Sequence, residues 1–560
     1  MVEPFIDFQH VTFKYHAQSE LTLHDVSFQI YPGEKVLIAG ASGSGKTTLL
    51  RLLNGLIPQA YQGDITGELT INGKKILNQS LFDLSLQAGT VLQDYDAQFV
   101  GMTVAEDIAF SLENDNQPIK IVREKVAKWA NRFGLGKRLT LAPQSLSGGQ
   151  KQRTAMAGVL VDEGDLLLFD EPLASLDPAA GAAAMALIDE LQQERNMTVV
   201  VIEHRIEDVL RAHVDRVIVM AHGRIFANDT PTAIIQAGVL SANGLDEHEP
   251  LYIQLLRRAG VPVNKIPHVA DVEKVDVSNF RDQIETLAEP VQTVTHDDKQ
   301  LLVQNLTFAY DQQEPLFENL STSIHEGEIL GIVGKNGSGK TTLSHLLTGF
   351  LTPSGGDIQL DGRSLLSDSI KERADHIGYV LQNPNHMITK ATVFDEVASG
   401  LRLRNIDEEQ VTERVREMLQ LVDLDGMRNW PISALSFGQK KRLTIAAVLV
   451  LKPEILILDE PTAGQDATHT SQLLSFLQNI NITNHTTIII ITHDMHLLAN
   501  FVQRALVVVD GQILADTTPA ELLANEALVD AASLRTTSIY RLAQRLSIVP
   551  PEELNAAIRK

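Results

Sequence analysis

Short, unbroken runs of Val, Ile and Leu alternate along the chain with longer stretches in which apolar residues recur every three or four positions. Runs of the first kind read as strands covered on both faces, the mark of a mostly parallel sheet packed between helices. Lys35–Ala39 and Ile329–Val333 each run into a glycine, and Leu166–Asp170 and Ile455–Asp459 each end in a carboxylate. Val199–Ile202 and Thr487–Ile491 each point toward a histidine two residues on. Between Gln93 and Ser147, and again between Gln382 and Ser436, the period turns helical, as in Val122–Phe133 and Val411–Leu421. The pattern predicts a helical subdomain inserted into each sheet-bearing unit.

These features come in pairs, so the chain is a duplication. Gln93 and Gln382, Ser147 and Ser436, Glu171 and Glu460, and His204 and His493 all stand 289 positions apart. Lys46 and Lys340 stand 294 apart, which places five extra residues in the first copy. The loop Ile57–Gly67 accommodates them, where the second copy has the tighter Thr352-Pro-Ser-Gly-Gly. The expected fold class is α/β: two tandem units, each with a mostly parallel sheet, an antiparallel β portion and a helical insert. The expected boundaries are 1–229 for the first unit, 230–265 for a helical appendix, 266–299 for a solvated acidic linker, 300–517 for the second unit and 518–560 for a second helical appendix.

Composition narrows the function classes. Apolar residues are 44% of the 560 and charged residues 21%, an ordinary globular balance. The formal charge of −24 argues against nucleic acid as the main partner, because neutralising phosphates takes a basic surface. The chain has no cysteine, so disulfides and thiolate zinc sites are excluded. Met1-Val2-Glu3-Pro4 carries no cationic, apolar signal pattern, and the apolar runs are far short of a bilayer span. Any link to a membrane is expected to pass through a partner.

The segment Gly40, Ala41, Ser42, Gly43, Ser44, Gly45, Lys46, Thr47, Thr48 recurs as Gly334, Lys335, Asn336, Gly337, Ser338, Gly339, Lys340, Thr341, Thr342. Glycines between a buried strand and a helix let backbone amides turn onto phosphate oxygens. The lysine adds a point charge, and Thr47 or Thr341 offers a hydroxyl to Mg²⁺. Asp170 and Asp459, at strand ends, suit the same ion through water. Glu171 and Glu460, one residue on, can polarise an attacking water. Leu146-Ser-Gly-Gly-Gln150 and Leu435-Ser-Phe-Gly-Gln439 place Ser147 with Gly149, and Ser436 with Gly438, at a helix start, an anion-binding arrangement in which the serine also caps.

With these motifs the chain resembles the ATP-binding-cassette (ABC) ATPases over nearly its whole length. The resemblance implies ATP and Mg²⁺ as cofactors and head-to-tail pairing of the two cassettes within the chain, with Lys46 facing Ser436 and Lys340 facing Ser147. It further implies that Gln93 and Gln382 contact Mg²⁺ and a membrane partner. His204 and His493 would sense the γ-phosphate, Tyr15 and Tyr310 would stack on adenine, and Asp177 and Asp466 would form the D-loops. The stretch Asp94-Tyr-Asp-Ala-Gln98-Phe99-Val100-Gly101 looks like the Q-helix segment of energy-coupling-factor ATPases. That family favours proline where Tyr95 stands; the second copy has Pro384 but puts Met387 where Gln98 stands. The layout is also similar to fused ATPases of thiamine-precursor importers. The implied role is to power uptake of a vitamin, vitamin precursor or metal ion from the cytoplasmic face of the membrane. A transmembrane scaffold subunit and a substrate-capturing membrane subunit would be the partners. Two alternatives stay open: tandem-cassette translation factors on ribosomes, which carry a long, charged helical linker, and fused sugar-importer ATPases, whose second site is typically degenerate.

Overall fold

The computed structural model describes residues 3–557 apart from 17, 19, 93, 94, 96, 147, 163, 174, 175, 204, 205, 289–298, 312, 313, 464, 466 and 549. The chain divides into two compact units, Met1–Leu287 and Ala288–Lys560.

In the first unit a six-stranded sheet runs in the order Arg224–Asp229, Arg216–Ala221, Lys35–Ala39, Thr198–Ile202, Leu166–Asp170, Ala88–Val91. All neighbours are parallel except the edge hairpin formed by the first two. A second, antiparallel sheet has the order Leu23–Ile30, Ile6–Tyr15, Gly63–Ile71, Lys74–Lys75. The second unit repeats both. Its six strands are ordered Ile377–Val380, Ile455–Asp459, Thr487–Ile491, Ile329–Val333, Arg504–Val509, Gln512–Thr517. The central strands are buried throughout; their inner positions are apolar, and the polar residues sit at their ends, where Lys35 pairs with Asp189. In register, Leu37 pairs with Val201 and Gly331 with Ile490, which brings the strand ends that carry Gly40, Asp170, Gly334 and Asp459 to one edge of their sheets.

The helical inserts form as the period predicts. They comprise Val104–Asn114, Ile119–Arg132 and Gly148–Leu160 in the first unit, and Val393–Arg402, Glu408–Leu421 and Phe437–Leu449 in the second. Thr103 and Glu106 close a capping box on the first of these, and Thr392 accepts from the Asp395 amide to start its counterpart. Val393, Val397, Val411, Val415 and Leu419 recur at helical spacing and form the insert's own core.

The stretch expected to be a solvated linker behaves differently over residues 266–288. Val269, Val272, Val275, Val277 and Ile284 are buried. Tyr252 donates from its hydroxyl to the Val269 carbonyl at 2.6 Å, and Gln236 donates to the Ile266 carbonyl at 2.9 Å. The valines fall at irregular spacing among Asp, Glu and Lys, so they give no helical or strand period, yet each is large enough to bury. The acidic segment is a packed part of the first unit up to about Leu287, and positions 289–298 lie outside the described residues.

Candidate active site

The strand Lys35–Ala39 ends at Gly40, and the helix Lys46–Leu53 begins six residues later. The turn between them is built on glycine for a steric reason. A Cβ on Gly40 would lie 2.1 Å from the Met220 carbonyl oxygen, and one on Gly334 2.0 Å from that of Val508. Ser44 and Ser338 are buried behind the loops, and their carbonyls accept from Gly223 and Gly511 at 3.1 and 3.2 Å. The Lys46 ammonium reaches the carbonyls of Gly40 and Ala41, both at 2.8 Å. Lys340 reaches Gly334 at 2.7 Å and Lys335 at 2.8 Å. Both cations are buried, which makes each loop a concave, positively charged cradle of amides at a helix start.

Around the second cradle the predicted residues converge. The Thr341 hydroxyl donates to Asp459 Oδ2 at 3.0 Å, and the Tyr379 hydroxyl donates to the same oxygen at 3.2 Å. Burial, with Glu460 alongside, pushes the Asp459 carboxyl up to about 6. His493 Nδ1 lies 2.7 Å from Glu460 Oε1, both side chains nearly buried, so the imidazole fixes the carboxylate that follows the strand. Lys441, fully buried on the helix that starts at Phe437, donates from its ammonium to the Glu460 carbonyl. Burial lowers it to about 8 against the pull of Glu460 and Asp459. The backbone at Glu460 is left-handed, φ 47°, as it is at Glu171, φ 50°. An unbranched glutamate tolerates this region only at a cost, and such strain concentrates at working sites.

Other predicted residues fall where the pattern put them. The Tyr15 and Thr48 hydroxyls share a hydrogen bond of 3.1 Å, as do Tyr310 and Thr342 at 3.0 Å, and Tyr310 is 41% exposed at the rim of its loop. Ser436 caps its helix by accepting from the Gln439 amide at 3.3 Å, and Gln439 closes the capping box. Asp177 accepts from the Ala180 amide at 2.8 Å and caps the helix Pro178–Arg195. Gln382 is exposed just past the strand Ile377–Val380. Gln93, Ser147, His204 and Asp466 lie outside the described residues. Sequence reasoning missed Tyr379 and Lys441. Lys441 had a signal, a lysine standing 289 positions from Gln152 on the apolar face of a helix.

The donors at the second site are a hydroxyl and a buried carboxylate, hard oxygen ligands that suit Mg²⁺. Among the described residues no group of three or more Asp, Glu or His side chains gathers as a self-sufficient metal cage.

The family model described as ABC transporter matches residues 23–174 and 317–463, more than half of the chain. This chain belongs to the ABC transporter family. A second model, described as ATP-binding cassette cobalt transporter, matches residues 237–308. An ABC transporter ATP-binding protein of Lactiplantibacillus plantarum is 50% identical over 99% of this chain and 98% of its own length. One from Enterococcus faecalis is 49% identical over 98% and 97%. The solved structure of cbiO1 from Clostridium perfringens, part of the ABC transporter complex cbiONQ, is 33% identical. It covers 42% of this chain and 94% of its own, with a TM-score of 0.39. ABC transporter ATP-binding proteins are ATPases coupled to transport, so the duplicated cradle is a pair of ATP-binding cassettes. No helix among the described residues is long and apolar enough to cross a membrane.

Proposed function

We propose that this ABC ATPase hydrolyses Mg-ATP at two sites to drive an importer of the energy-coupling-factor type, taking up a vitamin, a vitamin precursor or a metal ion. What supports import is the match of residues 237–308 to a family described as a cobalt transporter, together with relatives that align end to end. In this reading the protein sits peripherally on the cytoplasmic face of the membrane. It is held there by a transmembrane scaffold subunit that works with a substrate-capturing membrane subunit.

Each loop binds phosphates through its amides and through Lys46 or Lys340. Glu460, held by His493, takes the proton of the attacking water, and Glu171 with His204 does the same in the first cassette. Thr341, Asp459 and Gln382, and Thr47, Asp170 and Gln93, would hold Mg²⁺, which when bound neutralises charge on the phosphates. Tyr15 and Tyr310 take the adenine.

The test is to purify the tagged full-length chain from solubilised membranes of its native host, reconstitute it with the membrane proteins that accompany it, and measure ATP-driven uptake of cobalt, nickel and thiamine precursors. The expected result is uptake of one of these that Glu171→Gln with Glu460→Gln abolishes. Fractionation with ribosomes, and no membrane partner, would overturn the reading in favour of a translation factor.

A further inference from the structure

Lys441 is fully buried, and its ammonium donates to a backbone oxygen, that of Glu460. Taking an ammonium out of water is costly, and a neutral side chain of similar length would pack the position with no such cost. The first cassette supplies that comparison: Gln152, equally buried, donates to the Pro172 carbonyl, one residue further along. Its Oε1 has no hydrogen-bond partner among the described residues. Lys441 sits one turn into the helix that Ser436 caps, so its side chain ties the start of that helix to the peptide of Glu460.

That peptide needs holding. Glu460 is left-handed, and its amide donates to the Ile491 carbonyl at 2.9 Å. Its carbonyl accepts from Lys441 and, at 3.3 Å, from the Ala463 amide, while its carboxylate meets His493. Remove the ammonium, and among the described residues the carbonyl keeps the long contact to Ala463 alone.

We propose that Lys441 is a positioning residue for ATP hydrolysis in the second cassette: it fixes the backbone of Glu460 and links it to the helix that begins at the Ser436 signature segment. The first cassette has a neutral, displaced version of the same tether. The inference rests on the catalytic reading of Glu460 given above, but it concerns a residue that touches neither nucleotide nor the reacting water.

The purified full-length protein tests it in three forms: parental, Lys441→Gln, which imposes the first cassette's residue, and Lys441→Met, which keeps the length and removes the donor. Small misplacements of a reacting group cost up to about 10²-fold. The expected result is a kcat about threefold to tenfold lower for Lys441→Gln and lower still for Lys441→Met, with the KM for ATP and equilibrium ATP binding unchanged. Residual hydrolysis in a Glu460→Gln chain should not fall further when Lys441→Gln is added. A kcat equal to the parent in both variants overturns the proposal, and so does a rise in KM that accounts for the whole loss. If Glu460→Gln itself turned over at the parental rate, the catalytic assignment would fail; if it slowed and Lys441→Met did not, the tether alone would fail.

Discussion

The two cassettes share a sheet order, a loop and a left-handed glutamate, yet they surround these parts differently. In the second, Asp459 is gripped by Thr341 and Tyr379, and Tyr379 packs edge-on to His345, which also meets Phe350. In the first, Thr90 stands at the position of Tyr379 and Arg51 at that of His345, and the Arg51 guanidinium lies 4.1 Å over the Tyr61 ring. Tyr61 lies in the longer first-copy loop Ile57–Gly67, and its ring centroid is 6.4 Å from that of Tyr15. The segment after each glutamine loop differs too. Gln98 accepts from the Leu92 amide at 3.1 Å and donates to the Thr90 carbonyl at 3.0 Å, whereas Met387 offers the Leu381 amide only its sulfur, at 3.2 Å. Duplication kept the glycine loop and its buried lysine and let their surroundings diverge. Those surroundings are therefore where unequal behaviour of the two sites should originate.

The largest expected effect tests what the cassettes share. Glu171→Gln with Glu460→Gln should cut hydrolysis by about 10²–10⁴ while ATP stays bound, seen by turnover assay and filter binding. Next, Lys46→Ala and Lys340→Ala each remove a buried charged donor, worth about 1.5–3 kcal/mol, so calorimetry should show tenfold or greater weakening of nucleotide at the altered cassette. Acidification should act on the second cassette. Asp459 is raised to about 6, so its metal-binding form is lost as the pH falls through that value. With Lys46→Ala silencing the first cassette, the Mg²⁺ requirement should rise about tenfold per pH unit below 6. A flat requirement down to pH 5 would remove Asp459 from the ion's ligands. Smaller still, Glu460→Gln alone should cost more than Glu171→Gln alone by about twofold to fivefold, under 1 kcal/mol of barrier. Phe437→Gly should narrow that gap, since Phe437 stands where the first signature has glycine. The smallest is Met387→Gln, which copies Gln98 and should raise stability by about 0.5–1 kcal/mol in thermal unfolding.

The strands Lys35–Ala39, Leu166–Asp170, Ile329–Val333, Ile455–Asp459 and Thr487–Ile491 were legible to the residue, because a strand covered on both faces is apolar along its middle and carries polar residues only at its ends. The helix at Ile119–Arg132 begins three residues before the apolar period does, at a proline that no hydrophobic repeat marks. The acidic segment reads as solvated from its sequence for a related reason: its valines are irregularly spaced, they bury within the first unit, and only regular spacing is visible in a sequence. The loops and carboxylates of the site could be read from their spacing. Tyr379 could not, since its partner is 80 positions away and the contact exists only once the strands are packed. Lys441 shows in the sequence only as a lysine on an apolar helix face; its partner, 19 positions on, does not.

The left-handed backbone at Glu171 and Glu460 also bears on how such a protein can change over generations. Glycine and asparagine occupy that region with less strain than glutamate does, so at these two positions the residue the chemistry requires is not the one the fold prefers. Selection for stability alone would not retain a glutamate there. A cassette released from the need to hydrolyse ATP could lose its carboxylate and keep its shape, leaving a folded domain that still binds nucleotide. On the proposed catalytic reading, glutamate in both halves of one chain is a residue held by chemistry, against the grain of the backbone.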